Sequence, residues 1–124
     1  MRDFNSQALA NTAWAVATVG HKDERLFSTL AAAAEQRMRD FNSQELANTA
    51  WAFATVGHKD EWLFTTVAAA AEHCMREFNS QCLANTAWAF AAVGQKEERL
   101  FMLLGTAAGW RLRNFNSMDL ANTA

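Results

Sequence analysis

The word Phe-Asn-Ser-(Gln/Met)-X-Leu-Ala-Asn-Thr-Ala occurs four times in the chain, beginning at Phe4, Phe41, Phe78 and Phe115. Successive copies lie 37 residues apart with no slippage. A fixed period of this size marks stacked-repeat proteins, in which no unit buries its apolar face until a neighbour covers it. The expected organisation is one repeat array over residues 1–124, with units 1–37, 38–74 and 75–111 and a partial unit 112–124. The first two units differ only at Ala8/Glu45, Val16/Phe53, Arg25/Trp62, Ser28/Thr65, Leu30/Val67, Gln36/His73 and Arg37/Cys74. That closeness points to recent tandem duplication, and the chain reads as a piece of a longer array.

Within one unit the pattern is that of a helical hairpin. Asn42 can cap a helix with Glu45 reaching back from the third helical position, while Phe41 before the cap pairs with Leu46 as a hydrophobic staple. The helix should run to about Val56 and stop at Gly57, the residue best able to take the left-handed conformation after a helix. At about 100° per residue, Phe53, Leu46, Ala50, Ala54, Ala47 and Trp51 fall on one arc of about 160°, the expected core stripe. Trp51 would supply most of its apolar area. Asp60 can cap a second helix continuing to about Arg76, with Leu63, Phe64, Val67, Ala68, Ala71, Cys74 and Met75 inward. Thr65, Ala69, Glu72 and Arg76 would face out. With proline absent and no strand-like alternation, the expected fold is all-α: an α-solenoid of tandem 37-residue helix-turn-helix repeats. Gly105 and Gly109 weaken the second helix of the third unit by about 1 kcal/mol each relative to alanine.

A hydrophobic content of 51% with 19% charged residues is that of a folding globular chain. The formal net charge of −2 provides no general attraction to nucleic acid or to an anionic membrane, so any basic footprint must be local. No apolar run approaches the roughly 20 residues of a membrane-spanning helix, and no membrane association is expected. Cys74 and Cys82 stand where the first unit has Arg37 and Ala8, outside the repeat framework, which fits a reducing compartment. His73, Cys74 and Cys82 lack a fourth ligand and a recognised spacing for a metal. His21 and His58 become Gln95 in the third unit, so they form no repeated acid or base. No metal, no cofactor and no catalytic residue is expected: the chain reads as a binder and not an enzyme.

Opposite the expected core stripe lie Gln44, Asn48, Ala52, Thr55 and residue 45. Gln7, Gln44 and Gln81 recur, as do Asn11, Asn48 and Asn85, and their amides offer the donors and acceptors that reading a base edge requires. One position changes at every step: Ala8, Glu45, Cys82, Asp119. A protein that reads one nucleotide per unit keeps its framework and varies its reading residue, which makes this position the candidate selector. The alternative is a freely drifting exposed position, with the asparagines forming a structural ladder between helices. Lys22, Lys59 and Lys96 recur at the interhelix turn and could follow a phosphate backbone, although the two acidic residues after each one also fit a solvated turn.

The segments Gln44 to Gly57 (QELANTAWAFATVG) and Gln81 to Gly94 (QCLANTAWAFAAVG) resemble the repeats of octatricopeptide-type and heptatricopeptide-type proteins, which often carry a RAP domain. The Pro-Pro-Pro-Glu-Trp motif of many octatricopeptide repeats is missing, and the 37-residue period matches the heptatricopeptide variant better. The resemblance implies an α-solenoid that binds single-stranded RNA, organellar transcripts or rRNA, in a mitochondrion or chloroplast, and governs its processing, stability or translation. A monomer is expected. The competing reading is a protein-binding scaffold whose concave surface takes peptides or partner helices.

Overall fold

The computed structural model describes residues 5–20, 23–95 and 97–109. Helices α1 (Ser6–Thr18), α2 (Glu24–Gln36), α3 (Ser43–Thr55), α4 (Glu61–His73) and α5 (Ser80–Ala92) follow one another, and α6 covers 98–109. No strand occurs among the described residues. Lys22, Lys96, the fourth copy of the repeat word and Asp119 lie outside them.

Local chemistry sets each helix end. Asn5, Asn42 and Asn79 begin the first helices, each side-chain oxygen accepting from the backbone N–H three residues on at 2.8 Å. Unit two completes the box, Asn42 N donating to Glu45 Oε1 at 3.0 Å. Gly20, Gly57 and Gly94 close these helices with φ of 74°, 73° and 72°, a region costly for any side chain. Asp23 and Asp60 start α2 and α4 by accepting from Leu26 N and Leu63 N.

The second helices are shorter than expected. α4 stops at His73 and yields to a single 3₁₀ turn, Met75–Glu77, so Arg76 sits in the turn and not in the helix. The next unit explains this: Phe78 and Asn79 must be extended to present the cap. The tighter bonds Glu77 N to Cys74 O, 3.0 Å, and Phe78 N to Met75 O, 3.1 Å, redirect the chain within three residues. Cys74 and Met75 consequently end half-buried, whereas Leu63, Phe64, Val67, Ala68 and Ala71 are buried as expected.

The helices form two layers, an α-solenoid. α3 lies between α1 and α5, and these first helices approach one another more closely than α2 approaches α4. Alanine makes that possible: Ala10, Ala13, Ala17, Ala47, Ala50, Ala52 and Ala89 are all at most 2% exposed. Neighbouring units are joined by a recurring aromatic pair. Phe27 of one unit meets Phe53 of the next at 5.1 Å and 86°, and Phe64 meets Phe90 at 5.1 Å and 90°, the favoured edge-to-face arrangement.

The tryptophans are elsewhere. Trp51 was expected to be the main core residue, but it is only half-buried, packed against the edge of the core, and Trp14 and Trp88 are 45% and 49% exposed. Phenylalanines and leucines fill the centre instead. Ala52 was expected on the outer face and is 0% exposed. The burial of Ala52 has a clear cause: α3 is flanked by α1 and α5 as well as backed by its own second helix. Ala15, in the first unit, is exposed, whereas its equivalents Ala52 and Ala89 are covered, so this position faces the preceding unit.

The two seams differ electrostatically. Between units two and three, Arg99 Nε meets Glu72 Oε1 at 2.9 Å. One period earlier the same places hold Trp62 and Glu35. Burial, and then the Asp60 carboxylate, push the Glu35 carboxyl above its usual range. Trp62→Arg should recreate the bridge and raise stability by about 0.2 to 1 kcal/mol in urea unfolding at neutral pH. Because the new pair favours the ionised carboxylate, the gain should be present above the carboxylate range and vanish as acidification protonates Glu35. A gain that persists in acid would mean that removing the exposed tryptophan, not the ion pair, is responsible.

Candidate nucleic-acid interface

Covered on three sides, α3 keeps one narrow stripe for solvent. In α3 it consists of Gln44, Asn48, Trp51 and Thr55, spaced by four, three and four residues, which is one helical face. Gln44 and Thr55 are exposed, and Asn48 and Trp51 half-buried. The same stripe is Gln7, Asn11, Trp14 and Thr18 in α1, all exposed, and Gln81, Asn85, Trp88 and Ala92 in α5. The glutamines and asparagines thus lie where the repeat pattern placed them. The tryptophans, assigned to the core by sequence periodicity, lie between them.

The first two tryptophans are within reach of one another. Trp14 and Trp51 have ring centroids 6.3 Å apart and planes inclined by 34°. In the third unit Gln81 Nε2 donates to Asn85 Oδ1 at 3.0 Å, one turn along the same helix. That bond leaves Gln81 Oε1 as an acceptor and both Asn85 Nδ2 protons as donors. No hydrogen bond among the described residues joins asparagine side chains of successive helices, so these residues do not form the structural ladder considered above. An uncharged row of indoles and amides can stack on flat rings and hydrogen-bond to their edges.

The variable position occupies the seam and not this stripe. Ala8 and Glu45 are half-buried, and Cys82 is 4% exposed. Glu45 is held by its own helix cap. The position is fully covered only in the third unit, at Cys82. Cys82 therefore has no access to a ligand on the stripe.

The remaining candidates divide. Lys59 is exposed in the turn after α3, where it borders a cleft of about 480 Å³ with Glu61, Gln95 and Glu97; Lys22 and Lys96 are not among the described residues. His58 turns inward, its ring 6.2 Å from Phe27 and 5.5 Å from Phe53, and serves packing. Its counterpart Gln95 instead donates to Thr65 Oγ1 and Glu97 Oε1. Cys74 and Cys82 are both free. Burial, followed by the Glu77 charge, raises the Cys74 thiol above its usual value, an unreactive setting. Among the described residues no three His, Cys, Asp or Glu side chains gather as metal ligands, and no helix is long and apolar enough to cross a membrane.

No curated protein matches the chain. A family model does, over residues 1–124, and its description is RNA-editing substrate-binding complex 6 protein (RESC6). That match spans the whole length, and the chain belongs to the RESC6 family.

Proposed function

We propose that the first-helix face binds single-stranded RNA, with the tryptophans stacking on bases and the glutamine and asparagine amides contacting base edges. The observation that carries this reading is the row Trp14, Trp51 and Trp88 lying on the solvent side of α1, α3 and α5. Trp14 and Trp88 are 45% and 49% exposed, more than the core requires, and aromatic platforms in series are what an unpaired strand requires. The family description names an RNA-editing substrate, and the likeness of the repeat word to octatricopeptide and heptatricopeptide units supports the same chemistry. We assign the chain the role of a binding module without catalysis, in the mitochondrion. Protein contacts belong to the opposite layer, where Trp62 is 66% exposed and away from the amides.

In a Trp62→Phe, Trp110→Phe background only the three stripe tryptophans remain to fluoresce. Adding single-stranded RNA should quench them. Because the stripe carries no charge, the slope of log affinity against log salt should stay within about −2, the limit for the three turn lysines on a single strand. Unchanged fluorescence at saturating RNA would dismiss the stacking face.

A further inference from the structure

The outward stripe hardly changes from unit to unit, and the position that does change lies off the stripe and is half-buried or buried. Glutamine, asparagine and tryptophan repeat at each described first helix, while Ala8, Glu45 and Cys82 are half-buried or buried. A surface that offers the same groups at every step cannot distinguish one order of bases from another. We infer that the strand it prefers is homotypic, a tract of one base repeated, and that this base is adenine; the inference rests on the RNA-binding reading above.

Two features select adenine. In the third unit the Gln81 to Asn85 hydrogen bond at 3.0 Å holds an amide acceptor next to amide donors, and the same residue pair recurs as Gln7 and Asn11 and as Gln44 and Asn48. Adenine and cytosine each present an amino donor beside a ring-nitrogen acceptor, and of the two adenine is the usual partner of asparagine or glutamine. Its two fused rings also cover an indole more fully than a pyrimidine does, and differences in stacking strength are a common source of base preference in single-strand binders. Glu45, by contrast, is committed to Asn42 N at 3.0 Å and contributes to the helix start.

The test uses the full 124-residue chain and labelled oligoribonucleotides of equal length: oligo(A), oligo(U), oligo(C) and a mixed sequence. Oligo(A) should bind about tenfold more tightly than the mixed sequence, the discrimination of one good amide-base pair. Asn48→Asp combined with Asn85→Asp replaces donors by acceptors and should bring that ratio close to one. Glu45→Gln, which retains the cap, should leave the ratio unchanged. Equal binding of the mixed sequence, a pyrimidine tract ahead of oligo(A), or a ratio altered by Glu45→Gln would each overturn the inference while leaving RNA binding in place. Failure of all four strands to bind would instead overturn the RNA-binding reading, and this inference with it.

Discussion

Phe53→Ala should lower the stability of the chain by about 3 to 5 kcal/mol, the range for truncating a buried phenylalanine. Phe53 is 1% exposed, meets Phe27 of the preceding unit edge to face at 5.1 Å, and carries His58 on its other side at 5.5 Å. Its removal leaves a cavity at the junction between two units, where no single helix can shift to fill it without moving the seam. Urea unfolding followed by circular dichroism measures the loss. Trp51→Ala is the control: this half-buried side chain should cost clearly less, although its size alone would rank it above phenylalanine. If the tryptophan change proved the more damaging, the packing described between α1, α2 and α3 would be wrong.

Trp14→Ala together with Trp88→Ala should reduce affinity for single-stranded RNA by at least about thirtyfold. Each base stacked on an aromatic ring contributes roughly 1 to 3 kcal/mol by alanine substitution, so two give about 2 to 6. Both residues are nearly half exposed, at 45% and 49%, so the double variant should unfold close to where the parent does. That combination, binding lost with folding kept, separates a contact role from a structural one. Isothermal titration with an unpaired oligonucleotide provides the affinity and thermal unfolding the stability. An unaltered affinity would remove tryptophan from the interface.

Much of the fold was legible because it depends on chemistry close along the chain. The cap at Asn42, the box with Glu45 and the left-handed Gly57 require only three to five neighbouring residues, and all were read from the repeat word. What could not be read was sideways packing. A helical wheel shows that Trp51 borders the apolar arc, yet it does not show that α1 and α5 cover α3 on both flanks and take Ala52 inside. Position 45, whose variability resembled that of a selector, is instead held by its own helix cap. Glutamine and asparagine were placed correctly because the middle of the polar face lies farthest from every neighbour. The alanine pattern carried the missing signal: small residues on both sides of the helix, not only on one, meant close helices on both sides.

The regular 37-residue spacing of the tryptophan-amide row has a consequence for how a strand would sit on it. A bound polymer displaced by one step meets the same indole and the same amides again, losing contacts only at its ends. Several alignments would then be nearly equal in free energy, and the complex would gain entropy from occupying all of them. Such a surface holds a strand without fixing its position, so that the strand can creep lengthwise while remaining bound.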